Sequence, residues 1–328
     1  MSDRSPRPPA STVPPEIEDA LREAFPDRVV EGLAPLGGGL SRSPIFTFSV
    51  DGADYVVRKV DPERTPHTIA CTRIASARGI APRLIHAVEE TGVSISERVV
   101  GAQLAGTGGD PRVLAGVALT LRRLHDGPAF PVRETGLELL RVIDAGCAAA
   151  GRALHLDLFR AVETVSACTG RYVHAAPCHR DLNPNNILFS PGRVVFVDWD
   201  TAAAGDPFLD VAQLGVFAFP SAAQREVFLS AYLGRTATAE EHAHAVVARV
   251  MALAFYAAAF FRVSALAGRT GDVEGVPFAQ LFPTLAASRE RTDPALIAAS
   301  LLLEMRRESS AAAFADARAL LTNAPSHH

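Results

Sequence analysis

The chain has 328 residues, 48 % of them hydrophobic and 21 % charged, a composition that excludes an intrinsically disordered protein and leaves room for two lobes. Its formal net charge of −4, with the basic residues scattered and no Lys/Arg block, gives a nucleic-acid partner no bulk electrostatic support. Four cysteines, Cys71, Cys147, Cys168 and Cys178, form no CxxC pair, which argues against a zinc or redox centre and fits reduced thiols in a cytoplasmic protein.

Residues 1–15 are rich in Pro and Ser and hold no apolar run, so they read as a disordered tail rather than a signal peptide or a membrane anchor. Helical periodicity starts near Glu16 and stops at Pro26. A glycine-rich segment, Leu36-Gly37-Gly38-Gly39-Leu40-Ser41-Arg42-Ser43, precedes two β-rich runs, IFTFSV and YVVRKV, joined by the turn Asp51-Gly52. A helix is expected from about His67 to Arg78, stopped by Gly79 and followed by Pro82. VSISERVV then reads as another strand. Strands with one inserted helix predict a small α+β lobe over residues 16–100.

Beyond Gly101, Ala- and Leu-rich helical segments recur, with one polar interruption between about His174 and Asp210 that holds the short β runs NILF and VVFV. A mainly helical lobe is expected over 101–322, with 323–328 as a frayed tail. The apolar stretch from Val250 to Phe261 is shorter than the about 20 residues a bilayer span needs and reads as a buried helix, so no membrane partner is expected. His242 and His244, two apart on a helix, do not face each other and read as surface residues rather than a metal site. Phe255, Tyr256, Phe260 and Phe261 recur at helical spacing; core packing is the plain reading, and one or two of them lining an acceptor pocket is the other.

The polar interruption carries the chemistry. It reads His179-Arg180-Asp181-Leu182-Asn183-Pro184-Asn185-Asn186, and after the Pro191-Gly192 turn VVFV leads into Asp198-Trp199-Asp200. Asn186 follows Asp181 by five positions and Asp198 follows it by 17, at a strand end. Phosphoryl transfer from ATP needs one carboxylate to take or orient the proton of the attacking hydroxyl, and hard oxygen ligands to hold Mg²⁺ against the phosphates. Asp181 fits the base; Asn186 and Asp198 fit the metal. Either half alone reads as a turn or a helix cap. Both in this order, flanked by β runs, point to catalysis.

HRDLNPNNILF followed by VVFVDWDTAAAGDPFLDVAQL resembles the aminoglycoside phosphotransferase and choline/ethanolamine kinase superfamily; IAPRLI and LRRLHD are similar to the same family. The resemblance covers roughly residues 30–230 and implies an α+β, two-lobed protein-kinase-like fold with a small β-rich N-lobe for nucleotide and a larger, mainly helical C-lobe with the catalytic loop and acceptor site. It implies Asp181 as catalytic base, Asn186 and Asp198 as metal ligands, His179 as a hydrogen-bonding residue of the catalytic loop, Asp200 as a carboxylate behind the metal or beside the substrate, and Asp210 as a brace for the loop. In the N-lobe it makes Gly38, Gly39, Ser41 and Ser43 a phosphate-binding hairpin, with Ser41 and Arg42 where the family has Thr and Asn. It favours Arg58 in YVVRKV as the cation on the ATP phosphates, with Lys59 as the alternative, and makes Ser96-Glu97-Arg98 the segment whose backbone meets adenine. One departure stands out: no acidic residue lies between Arg64 and Val88, where the family's helix offers a Glu to that cation near His67 or Thr68, leaving Glu63 as a substitute.

The function expected is therefore ATP- and Mg²⁺-dependent transfer to a hydroxyl of a small, cationic acceptor. Choline- or ethanolamine-like amines come first, because Asp181 and Asp200 put negative charge beside the hydroxyl and the aromatic cluster offers cation–π contacts. An aminoglycoside-type antibiotic comes second, since the segment beyond residue 240 has Glu240, Glu241, Asp272 and Glu274 but no dense acidic run. A nucleotide-binding module with weak turnover is the rival motivated by the missing helix Glu. A protein kinase lacks support, because neither Asp-Phe-Gly nor an Ala-Pro-Glu segment is present.

Overall fold

The structure, a computed structural model, describes residues 13–36, 44–60, 65–104, 111–172, 175–190, 192–219, 221–288 and 292–323. The outer parts of the two expected tails, 1–12 and 324–328, lie outside the described residues. The chain divides into an N-terminal unit, Met1–Val99, and a C-terminal unit, Val100–His328.

In the N-terminal unit, α1 (Pro15–Ala24) starts on a proline whose missing N–H costs nothing at a helix start, and carries Glu16 and Glu18 in its first turn. Its buried residues Ile17, Ala20 and Leu21 share one face. Five antiparallel strands follow: β1 (Glu31–Pro35), β2 (Ile45–Val50), β3 (Ala53–Lys59), β4 (Leu84–Val88) and β5 (Val93–Glu97), in the spatial order β1-β2-β3-β5-β4. Asp51 and Gly52 both take positive φ, 52° and 76°, the geometry that matches a tight hairpin to strand twist.

The register sorts this sheet's faces. Phe46 pairs with Val57 and Phe48 with Tyr55, while Val57 faces Ile95 and Lys59 faces Val93. These residues share the face that α1 covers, where Ile17, Ala20 and Leu21 join Phe46, Phe48, Val57, Val93 and Ile95 in one core. Ile45, Thr47, Val56, Arg58, Ser94 and Ser96 alternate to the opposite face. α2 (Thr65–Ala77) ends as expected: Gly79, at φ 67°, donates to the Ser76 carbonyl and Ile80 to that of Ala75. The strand expected through Val100 stops at Glu97. Arg98 N–H still donates to the Asp54 carbonyl, past the β3 residue that Glu97 faces, and regular pairing goes no further.

The C-terminal unit opens with β6 (Ala102–Gln103) and three helices, α3 (Pro111–His125), α4 (Gly136–Ala149) and α5 (Leu156–Thr169). The polar interruption folds as β7 (Ala176–Cys178), a 3-10 turn (Pro184–Asn186), the hairpin β8 (Ile187–Ser190) and β9 (Arg193–Phe196), and β10 (Ala203–Gly205), which pairs back with β7. Helices α6 (Pro207–Ala218), α7 (Ala222–Leu233), α8 (Ala239–Leu266), α9 (Phe278–Ser288), α10 (Pro294–Ser309) and α11 (Ala312–Asn323) complete it.

α8 organises this unit. A capping box starts it, Thr238 accepting from Glu241 N–H and Glu241 from Thr238 N–H. Its 28 residues are apolar and long enough to cross a membrane, but 72 % of its apolar window is buried against α4, α5, α6, α10 and α11. A helix buried nearly all round has no polar face to show, which is why the stretch Val250–Phe261 lacks a clear stripe. Phe255, Tyr256, Phe260 and Phe261 are all buried in that core.

His244 corrects the surface reading. It is 2 % exposed, with Nε2 2.6 Å from Asp206 and its ring between Phe208 and Tyr172 at 4.2 and 4.3 Å. The burial of α8 begins in its first turns, so a polar ring there needs a partner, and Asp206 supplies it. His242 remains at the surface beside Glu226.

Candidate active site

The catalytic-loop candidates sit between β7 and α6, and the loop is fixed through its main chain. Asp210 of α6 is fully buried; its Oδ2 accepts the N–H of His179 and its Oδ1 that of Arg180, both at 2.8 Å. Three residues on, Gln213 donates to the Arg180 carbonyl at 2.8 Å and accepts from Leu182 N–H at 3.5 Å. Thr201 donates to the His179 carbonyl at 3.1 Å. The His179 side chain is fully buried, with Nε2 2.9 Å from the Val197 carbonyl and the ring 4.7 Å from Trp199. These contacts hold Arg180 at φ 65°, a left-handed conformation that costs a non-glycine residue roughly 1–3 kcal/mol and persists only where neighbours over-determine it.

His125 extends the frame. Its Nε2 lies 3.1 Å from Asp210 and its Nδ1 2.7 Å from the Tyr232 hydroxyl. Ligand atoms of His125, Asp210 and Cys178 lie within 4.8 Å of one another. Asp210 already receives two backbone N–H groups and His125, and burial pushes the Cys178 thiol well above its usual range, so the cluster reads as a neutral-thiol hydrogen-bond hub rather than a metal centre.

Asp181 projects from this frame into a ring of neutral donors. Asn183 Nδ2 lies 3.3 Å and the Tyr256 hydroxyl 3.4 Å from its Oδ1, and Asn186 Nδ2 3.2 Å from its Oδ2. Asn186 also donates to the Asp181 carbonyl at 2.9 Å, which turns its amide nitrogen inward and leaves the carboxamide oxygen as the candidate ligand atom. One backbone bond ties the two metal candidates together: Val197 N–H, next to Asp198, donates to the Asn186 carbonyl at 2.9 Å. Asp198 is, like Arg180, left-handed, at φ 65°. An amide oxygen and a carboxylate are both hard donors and fit Mg²⁺ in kind.

Around Asp200, Arg133 donates to its main-chain carbonyl at 2.7 Å, and Arg180 donates to the Glu134 carbonyl at 3.3 Å. The Glu134 carboxylate lies 3.3 Å from Arg133 and 3.8 Å from Arg180. Burial pushes the Arg180 guanidinium below its usual value, with Glu134 opposing.

In the N-terminal unit, Gly38, Gly39, Ser41 and Ser43 lie outside the described residues, as does Glu63. Lys59 is committed: its Nζ sits 2.7 Å from Glu16 of α1, and that bond holds the Glu16 carboxyl below its usual range. Arg58 points to the face α1 leaves uncovered. Two amides of the segment expected to meet adenine have partners within this unit. Glu97 N–H already donates to the Arg83 carbonyl and Arg98 N–H to that of Asp54, while the Glu97 side chain accepts from Arg83 N–H. The backbone that follows these two in the chain is Val99–Val100.

Gln213, Tyr256, Thr201 and Arg133 were not singled out from the sequence as site residues. Gln213 stood inside the quoted DVAQL run at one helical turn from Asp210, a spacing that signals a shared face. Tyr256 stood in the aromatic cluster without a mark to separate it from its neighbours.

The fold is that of the kinase-like phosphotransferases. A choline/ethanolamine kinase family protein from Mesorhizobium loti superposes with a TM-score of 0.67 at 21 % identity, covering 89 % of this chain and 93 % of that one. A thermostable mutant of the aminoglycoside phosphotransferase APH(4)-Ia, solved with ADP and hygromycin B, superposes with a TM-score of 0.51 at 21 % identity, covering 90 % of this chain and 99 % of that one. Residues 32–245 match the phosphotransferase enzyme family, and the chain belongs to that family. Protein LicA of Haemophilus influenzae is 35 % identical over 60 residues, 18 % of this chain; the match spans 22 % of that curated relative's length.

Proposed function

We propose that this phosphotransferase moves the γ-phosphoryl group of ATP to the hydroxyl of a small hydroxylated amine, choline- or ethanolamine-like. The observation that carries the reading is Asp181: a carboxylate aimed by three neutral donors on a loop whose own main chain is clamped by Asp210 and Gln213. The three donors named orient the carboxylate and are themselves neutral, and a carboxylate so placed is suited to take the acceptor's proton. The hydroxyl oxygen attacks the γ-phosphorus, its proton passes to Asp181, and ADP leaves. Asn186 and Asp198 would hold Mg²⁺, which when bound offsets charge on the phosphates. Arg58, on the sheet face not used by α1, would meet the α- and β-phosphates, since Lys59 is spent on Glu16.

The amine preference rests on chemistry near Asp181. Its carboxylate and the Tyr256 ring beside it favour a cation over a neutral alcohol. Arg133 and Arg180, sharing Glu134, keep that preference modest. A cytoplasmic setting is proposed with it, supported by four buried cysteines, none in a disulfide. The second reading, an aminoglycoside-type acceptor, draws on the likeness to APH(4)-Ia. Steady-state rates of phosphorylated product with choline, ethanolamine and a kanamycin-type acceptor decide between them. The expected order puts a small amine first; a clear preference for an uncharged alcohol overturns the amine while leaving the phosphotransferase standing.

A further inference from the structure

α6 turns two faces to different neighbours. Asp210 and Gln213 reach the catalytic loop, whereas Val211, Ala212 and Gly215 line a cavity of about 330 Å³ that α7, α8, α10 and α11 complete. Asp181, Asn186, Asp198 and Asp200 do not line it. Its volume falls at the small end of the range for ligand pockets, roughly 300–1,000 Å³. Phe219, Phe228 and Phe314 make an aromatic wall, with the first two stacked at 4.8 Å. Val246, 37 % exposed, and the His242–Glu226 pair, 3.1 Å apart, reach solvent at its rim.

The charge inside an otherwise apolar cavity is the unusual feature. Three arginines, Arg225, Arg249 and Arg307, line it against two glutamates, Glu226 and Glu308. Arg249 is 7 % exposed; its Nε donates to Glu308 at 2.9 Å, but its Nη1 is buried and has no hydrogen-bond partner among the described residues. Arg307 draws on Glu304 and Glu308, the same glutamates that Arg249 uses. Arg225 donates to the Phe219 carbonyl at 3.1 Å; burial, and then the like charge of Arg249, pushes it down to about 10, still a cation at neutral pH. A buried guanidinium N–H without an acceptor is costly, and an anion is the group that satisfies it best.

We propose that this cavity is a second binding site, for a small amphiphilic carboxylate whose head meets Arg249 and Arg225 and whose apolar body lies on Phe219, Phe228 and Phe314. The ligand's carboxylate supplies the acceptor that Arg249 Nη1 lacks among the described residues. The occupant rests against the back of the helix that braces the catalytic loop, and the site stands independently of the acceptor reading.

Octanoate titrated into the full-length protein by calorimetry tests this, with octanamide as the neutral comparator. The expected result is saturable binding of one octanoate, about tenfold or more tighter than octanamide. Ala245→Phe fills the cavity from α8 without touching the ion pairs and should abolish binding. Arg249→Met keeps the bulk and removes the donors, and should equalise the two ligands; should that variant fail to fold, Ala245→Phe decides. Absence of saturable octanoate binding, equal affinity for the amide, or undiminished binding in Ala245→Phe each overturns the proposal.

Discussion

Arg58 and Asp181 are the two charged residues on which the proposed reaction leans, and they are held in contrasting ways. Asp181 stands on a loop whose main chain is gripped by buried side chains, at the expense of a left-handed Arg180. Arg58 stands on an ordinary strand, and what sets its direction is parity: α1 takes one face of the sheet, together with Lys59, and leaves Arg58 the other. A loop needs many specific polar partners to become rigid; a strand obtains its rigidity from the ladder and needs only the right register. Substitutions around Asp181 should therefore act through geometry and stability together, and those around Arg58 through charge alone.

Apart from Asp181 itself, the largest loss is expected at the metal candidates. Asp198→Ala should lower turnover by at least about 10²–10³-fold, the scale of losing one electrostatic contact to a transition state, and Asn186→Ala by less, because it withdraws a dipole rather than a charge. A titration of activity with Mg²⁺ checks the order; activity independent of divalent metal removes the assignment.

Next comes the clamp itself. Asp210→Ala strips the acceptor from two backbone N–H groups and from His125, all buried, and should cost about 2–5 kcal/mol in a denaturant melt. A loss under about 1 kcal/mol would mean that the loop does not depend on α6, and the contrast with the strand would collapse.

The strand prediction is smaller and sharper. Arg58→Ala should raise the KM for ATP about tenfold or more, as expected of a lost charge-assisted contact, with melting temperature little changed. Lys59→Ala should leave the KM for ATP near wild type, because its partner is Glu16. The reverse order would put the register argument out by one residue.

The smallest effect is a pH dependence at the start of α8. The hydrogen bond from Arg235, with those from Thr238, holds the Glu241 carboxyl at about 2. A depressed carboxylate stabilises the fold above its unfolded value of 4.5, and that contribution fades as pH falls from there toward 2. Solvent screening keeps it below about 1 kcal/mol. Glu241→Gln should flatten the stability profile in that acid window by lowering stability at neutral pH, by less than about 1 kcal/mol, while leaving it nearly unchanged near pH 2; an unaltered acid limb counts against it.

The same contrast explains what the sequence made legible. The Asp51-Gly52 hairpin, the Gly79 helix stop and the 181/186/198 spacing are local patterns, and the structure folds each where its residues stand. Features that depend on a distant partner were not readable. Lys59 meets Glu16, 43 positions away, so the strand alone could not show that partner. His244 looks like a polar residue on a helix until Asp206 and the rings of Phe208 and Tyr172 close around it. Tyr256 resembles its aromatic neighbours in α8 and differs from them only in reaching Asp181, 75 positions earlier. The amides of Glu97 and Arg98 meet the carbonyls of Arg83 and Asp54, a pairing that hydrophobic pattern alone does not reveal.

The most direct test of the central claim is the single-residue exchange Asp181→Asn, followed by phosphorylated-product formation at saturating Mg²⁺ alongside ATP binding by calorimetry. Removing the base while keeping the shape should lower turnover by about 10²–10⁴-fold with ATP affinity near wild type. Turnover close to that of the unaltered protein would contradict the account.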